Sequence, residues 1–436
     1  LGYSDGTATA SKGESASYIN DAGQKVETAR NATVGFGEKG LTAGYSASDT
    51  VTNEDKSKTA SALGGTANLS TGELAGSYQK SNLDADGKAI SSVGATGAVD
   101  LGENGLDGAS GAVTASKGSV NVAVFGGYKV TTKEPVAQGK QWVVTWSKQA
   151  SGGVSGGASK GAGGLEGSKA SVTLGASGSS TDSGTRVFSS KAEAEAWYKS
   201  PKFPDLPATA NAALEMAEGE TISEADALGV NAGGSANVGP VTLGLGLNAS
   251  STDQKEIERG AGSIVYVTVK SSDTLGGNTS MGAGTVSMGA HASHTDLAGT
   301  KVQFDLSNEA DKAAYENYLQ TGQVPASKVK DVVSRTTGYS DTAGTDVGAF
   351  GAKLTMDSTV GETVTHTKDH KIETATGTDS QGITVPFLGH YNNAQTLQAT
   401  EVDDKERLFV ATSQVDSNDL SSAAKGLARA TGTKAN

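Results

Sequence analysis

The chain has 436 residues, a formal net charge of -13 and a pI near 4.9, which disfavours a nucleic-acid partner because such affinity comes largely from Lys and Arg neutralising phosphates. Anionic membrane surfaces are disfavoured on the same ground. The absence of Cys excludes disulfides, thiol catalysis and thiolate metal sites.

With 60 Gly, only 7 Pro and 5% aromatics, arranged in period-two stretches between turns, the chain reads as ordered β structure rather than as a linker. Its length allows one large all-β domain or two to three average ones. It starts at Leu1 without Met or an apolar leader, and contains no apolar run near the roughly 20 residues of a transmembrane helix. It is therefore expected to be a processed form or a piece of something longer.

From the N-terminus, Gly-containing turns are expected at 11–14, 37–40, 70–73, 102–105, 116–119, 164–167 and 238–241. Alternating stretches flank them, such as Val34 and Phe36 before Leu41, Ala43 and Tyr45, or Val120, Val122 and Val124 running on to Tyr128. The pattern is a meander of antiparallel hairpins, with tight turns at one end and longer charged connections at the other.

The strong strands 141–149, 263–272 and 407–417 read as one element used three times, and the first two lead to TRVF (185–188) and TKVQF (300–304). A helical stretch with an aromatic pair and a Pro follows each, at 191–204 and 309–325, and a further helix is expected at 207–219. Ala310, Ala313, Ala314, Tyr315 and Tyr318 gather toward one side of the later helix, which suits a cap over one rim. The resulting organisation is a β-meander over 1–184, a helical insertion over 185–226, β-hairpins over 227–304, a second insertion over 305–334, β-hairpins over 335–420 and a tail or linker over 421–436.

The hairpin 228–250 carries the sharpest functional information. Leu228, Val230, Val238, Val241, Leu243, Leu245 and Leu247 fall on one face, whereas Gly229, Asn231, Gly233, Ser235, Gly244, Gly246 and Asn248 fall on the other. Three architectures use a face of so little volume: a water-filled lumen, a soluble tube that admits a second backbone or cargo, and a stacked fibre. Leu245 is expected to be packed, with Leu245→Ala costing about 2 to 5 kcal/mol by cavity formation.

Among polar motifs, NLDADG places Asn82, Asp84 and Asp86 at the first three ligand positions of a calcium loop, with Gly87 at the sixth. Val93 stands where the terminal Glu belongs, so a hairpin turn at Asp86-Gly87 is the favoured reading. On strands, His291 and His294 point to opposite faces, while His366 and His370 share a face about 13 Å apart. His390 stands alone, and no nucleophile elbow, phosphate loop or zinc-protease motif is present. No catalytic, cofactor-binding or metal-ligating residue is assigned, and the expectation is a non-enzymatic protein.

Hairpins such as 228–250 resemble the membrane-inserting stems of β-pore-forming toxins. The segment AYENYLQTGQVP (314–325) after TKVQF resembles short strand-helix modules of large secreted bacterial toxins and effectors. These resemblances imply a secreted or extracellular toxin-like or effector-like scaffold, acting as a pore, a translocation conduit or a cargo-holding shell. The expected fold is all-β, an antiparallel up-and-down meander closing into a large barrel or tube with two short helical insertions. Expected partners are a membrane or a polypeptide cargo, no nucleic acid, and further copies or the rest of a larger polypeptide. Scarce Phe, Tyr and Trp argue for a chain that inserts only on oligomerising or at low pH. The alternative is an extracellular structural or adhesive β-protein.

Overall fold

A computed structural model describes residues 2–4, 7–37, 40–68, 70–102, 105–161, 169–350, 352–385, 389–403 and 406–416. In chain order the strands are β1 (Gly2–Ser4), β2 (Thr7–Ile19), β3 (Lys25–Gly37), β4 (Gly40–Thr52), β5 (Lys58–Asn68), β6 (Glu73–Leu83), β7 (Ala89–Gly102), β8 (Gly105–Lys117), β9 (Val120–Thr132), β10 (Val136–Gln138), β11 (Gln141–Gly161) and β12 (Lys169–Phe188). Helices α1 (Lys191–Lys199) and α2 (Ala210–Leu214) precede β13 (Thr221–Val238), β14 (Val241–Arg259), β15 (Ile264–Ala283) and β16 (Val286–Asp305). Helix α3 (Glu309–Thr321) and a 3-10 turn (Ala326–Asp331) then lead to β17 (Val332–Ala349), β18 (Ala352–Thr367), β19 (Lys371–Val385), β20 (Gly389–Val402) and β21 (Glu406–Asp416).

The fold is thus an all-β antiparallel meander with two short helical insertions, as the alternation and the helical periodicity predict. The chain divides into two compact units, one of Leu1–Ala158, Gly175–Asp205 and Glu220–Glu224, the other of Ser159–Leu174, Leu206–Gly219 and Ala225–Asn436.

In the first unit each of β2 to β9 pairs antiparallel with its chain neighbour, and β11 pairs with β9 along thirteen residue pairs while the short β10 adds to β11. The 11–14 segment is not a turn: Gly13 sits inside β2 opposite Asn31, because a lone Gly interrupts neither the ladder nor the alternation around it. The unit's fully buried large side chains lie beside the helical insertion. Trp146 meets Phe203 at 5.3 Å between ring centroids, and Trp197 meets Phe203 edge-on at 5.9 Å. Helix α1 starts where the Ser190 hydroxyl accepts the Glu193 N–H.

In the second unit β14 to β21 pair in chain order without a crossover. Helix α3 lies on β16. The Phe304 ring contacts Tyr315 edge-on at 5.8 Å and Tyr318 at 5.9 Å, and all three are fully buried. The Tyr315 hydroxyl donates to the Pro207 carbonyl at 2.7 Å, and the Tyr318 hydroxyl to the Thr300 carbonyl at 2.8 Å. Asn308 caps the helix N-terminus through the Asp311 N–H, and Gly322, with φ of 67°, ends it. The buried Lys328 ammonium lies over the Phe304 ring and donates to the Asp311 and Asp331 carboxylates. Helix α3 packs on the sheet through Ala314, Tyr315, Tyr318 and Leu319, whereas Ala310 and Ala313, expected on the same side, are exposed.

Among the described residues of each unit, no second layer packs on the sheet away from the helices. Leu245, expected in a core, is 57% exposed, because alternation separates two faces without supplying a layer to pack on either.

Candidate functional site

Directly paired residues share a face, so ladder registers assign each side chain to one side of the sheet. In the second unit Leu243, Met281, Met288, Val347, Leu354 and Ile383 stand opposite one another across six strands. Five of these are among the exposed large hydrophobics, as are Leu247, Leu275, Met356 and Val360 on the same face. Farther from the turns that face becomes polar, with Asp253, Asp273, His294, Asp296 and Asp341, and then apolar again beneath α3.

The opposite face is built of Gly, Ser, Thr and Asn. One row runs Gly246, Asn278, His291, Gly344, Asp357 and Ser380. Hydroxyl pairs stitch neighbouring strands there: Thr274 with Thr295 at 2.9 Å, Thr336 with Thr365 and Thr342 with Thr359 at 3.0 Å, and Thr378 with Thr396 at 3.1 Å. Its charges are paired, His291 with Asp357 at 3.2 Å and Lys353 with Asp346 at 3.9 Å. A side chain at Gly344 would collide with both the Asp357 carboxylate and the His291 ring, and one at Gly289 with Asp346.

The first unit repeats this sidedness. Leu63, Tyr78, Ala95, Val113, Val124 and Val154 form one row of the apolar face, and Ala67, Leu74, Val99, Ala109, Tyr128 and Ala150 another. Between them lie six mutually opposed glycines, Gly65, Gly76, Gly97, Gly111, Gly126 and Gly152. The other face holds the row Ser46, Gly64, Ser77, Thr96, Ala112, Phe125 and Gly153, and the Phe125 ring lies over Gly153, where a Cβ would strike it. A depression of about 800 Å³ opens on that polar face and extends from Asn31 to Ser151.

The motifs singled out in the sequence do not converge. Asp84 Oδ1 accepts the Asp86 and Lys88 N–H groups, so NLDADG folds as a turn from Asp84 to Lys88, longer than the two-residue turn expected at Asp86-Gly87. His291 and His294 do face opposite sides, and His294 binds Asp341 at 2.6 Å. His370 does not share a strand with His366: β18 ends at Thr367, whose hydroxyl accepts the His370 N–H in the turn, and the His370 ring pairs with Asp403 at 2.8 Å. The His390 side chain, the 164–167 turn and the 421–436 tail lie outside the described residues. Among the described residues no cluster of three metal-ligating side chains forms, and no helix is long and apolar enough to cross a membrane, which says nothing about strands.

No protein-family description matches the chain, and no curated protein matches it. Among solved structures it is similar to the unliganded ferric citrate transporter FecA, at 10% identity and TM-score 0.28 over 94% of this chain and 77% of that one. It is also similar to the β domain of the Bordetella autotransporter BrkA, at 11% identity and TM-score 0.24 over 68% of this chain and 97% of that one. A third is the alcaligin outer-membrane receptor FauA of Bordetella pertussis, at 10% identity and TM-score 0.23 over 94% and 76%.

Proposed function

We propose that the meander closes into the wall of a β-barrel that serves as a non-enzymatic pore or translocation conduit, of the kind a secreted bacterial toxin inserts into a target bilayer. One observation carries the reading: most of the large side chains left uncovered by the fold are gathered on one face, while Gly, Ser, Thr and Asn predominate on the other, with Phe125, Leu408 and Val410 among the exceptions. A barrel in lipid needs that inside-out arrangement, with an apolar band outside and a polar lumen within. In water the same face is unfavourable, since moving a Val or Leu side chain out of water is worth about 1.5 to 3 kcal/mol. Large side chains are few along the first unit's depression, and the small residues that line it leave the space a water-filled interior requires.

The toxin-like origin rests on the resemblance of the 228–250 hairpin to inserting stems and of the 314–325 segment to secreted strand-helix modules. The test is dye release from liposomes at neutral and acidic pH, with negative-stain microscopy of the same samples. Leakage accompanied by rings is the expected outcome. Filaments without leakage would replace this reading with a structural role.

A further inference from the structure

Charge is distributed unevenly along the apolar face, and the three hairpins β13–β14, β15–β16 and β17–β18 differ from the strands before and after them. No Asp, Glu, Lys or Arg occurs between Asp226 and Asp253, or between Asp273 and Asp296. Between Asp341 and Glu362 the only ones are Asp346, Lys353 and Asp357, all on the polar face and engaged in the pairs described above. On the apolar face, the stretches 241–249, 275–283, 286–293, 342–349 and 352–360 of the paired strands carry no Asp, Glu, Lys or Arg and have eight or nine residues each. A tilted transmembrane strand needs about 9 to 11. His294 and Asp341 form an ion pair opposite Leu275 and Val360, where the clear band ends.

The turns at the ends of this band are uncharged too: Gly239-Pro240, Gly284-Thr285 and Phe350. Phe350 is 81% exposed and held at φ of 52°, a left-handed conformation that costs an aromatic residue energy and gains it no packing. The opposite ends of the same strands carry Lys255, Glu256, Glu258, Arg259, Lys270 and Lys301, together with α3. By contrast, the apolar face of β2 to β6 is broken by Lys12, Glu14, Arg30, Asp49 and Lys80, and on β19 it carries Asp379. Drawing charges through hydrocarbon costs several kcal/mol each, so only the uncharged tips can cross at low cost.

We infer that β13 to β18 are the segment that enters a bilayer, that they enter tip first behind Pro240 and Phe350, and that α3 stays on the side of entry. The partner is the hydrocarbon interior rather than the headgroups: between the tips and the His294–Asp341 pair the entering face has no Lys or Arg, and the chain carries a net charge of -13. Entry therefore requires no anionic lipid. This rests on the pore reading and narrows it to named hairpins and a direction.

The chain's lack of Cys permits a clean labelling experiment on the full protein. An environment-sensitive fluorophore is placed by Leu245→Cys, Met288→Cys, Lys12→Cys or Asn317→Cys, and the protein is added to vesicles of phosphatidylcholine alone, with nitroxide lipid as quencher. Blue-shifted emission and strong quenching are expected at 245 and 288, with neither at 12 or 317. In a second arm, biotin is attached through Phe350→Cys or Asn317→Cys, and streptavidin is supplied either outside or trapped inside. Capture of 350 from inside and of 317 from outside is expected. Leakage with 245 and 288 still in water would overturn the inference while leaving a pore intact. Lipid contact at 245 and 288 without leakage would uphold entry and remove the pore. Entry only when phosphatidylserine is added, capture of 317 from inside, or quenching at position 12 as strong as at 245 would each overturn it.

Discussion

Lys56 occupies the backbone position that Gly23 and Gly87 hold in the neighbouring turns. All three residues have positive φ, 66° for Lys56, 75° for Gly23 and 81° for Gly87. Each donates its N–H to the carbonyl three residues earlier, Asn53, Asn20 and Asp84 respectively. The turns 20–24, 53–57 and 84–88 are thus copies of one design, two with the residue that suits the geometry and one without. Left-handed backbone costs a non-glycine residue about 1 kcal/mol, partly offset by the greater freedom Gly has when unfolded. Lys56→Gly should stabilise the first unit by roughly 0.5 kcal/mol, read as a higher urea midpoint at unchanged slope. Gly23→Ala should move the midpoint the other way.

The sheet's uncovered faces reverse the usual consequence of trimming a Leu. Leu245 is 57% exposed, so Leu245→Ala opens no cavity and should cost well below the roughly 2 to 5 kcal/mol of a core truncation. Thermal unfolding followed by far-ultraviolet circular dichroism checks this. A loss of core size would show that a second layer covers this face in solution. The variant should instead weaken association with vesicles, where that side chain has something to gain.

Much of this organisation is legible in the residues. Alternation around Gly239-Pro240 fixes the hairpin and both of its faces, and the spacing of Ala314, Tyr315 and Tyr318 identifies a helix with one buried side. What alternation cannot report is whether a face is covered, which is why Leu245 reads as core although it lies bare. Glycine is equally ambiguous: Gly13 belongs to a strand and Gly23 to a turn, and only the pairing partner distinguishes them. The row of six opposed glycines is invisible in sequence, because it exists only after the register of β5 to β9 and β11 is known. The His370 turn escapes notice for a similar reason, since Thr367 rather than a Gly or Pro closes it.

Helix α3 is held by hydroxyls as well as by rings. Tyr315→Phe keeps the edge-on contact with Phe304 but leaves the Pro207 carbonyl without its donor. Losing a hydrogen bond at a buried site costs about 1 to 3 kcal/mol. The expected result is faster protease cleavage in the segment before α2, with the strands of the second unit still protected in hydrogen exchange. Tyr318→Phe should act likewise through Thr300.

The same two tyrosines set an alkaline limit on the cap. Burial pushes the Tyr318 hydroxyl up to about 12 from an ordinary value of 10.0, and pushes Tyr315 up further. A group whose folded pKa is raised contributes stability fully below its unfolded pKa, and that contribution is lost as pH rises toward the folded value. Stability should therefore be flat below about pH 10 and fall between there and about pH 12 as the unfolded chain releases protons that the folded one retains. Ultraviolet titration should find two late-ionising tyrosines, and the Tyr315→Phe, Tyr318→Phe double variant should lose part of that alkaline slope.

On the polar face the absence of a side chain at Gly344 makes room for the His291–Asp357 pair, whose ring and carboxylate meet at 3.2 Å. Gly344→Val would occupy that space, so the ring and the carboxylate must both swing away from the strand. If this face lines the conduit, the displaced groups move into its lumen. The expected outcome is a smaller single-channel conductance in a planar bilayer, together with a changed cation-to-anion preference, while vesicle association remains as before. Asp357→Asn separates the effect of charge from the effect of bulk: it should shift selectivity toward anions with little change in conductance. Equal conductance and selectivity in all three proteins would place this face outside the conduction path, with the apolar face still free to meet lipid.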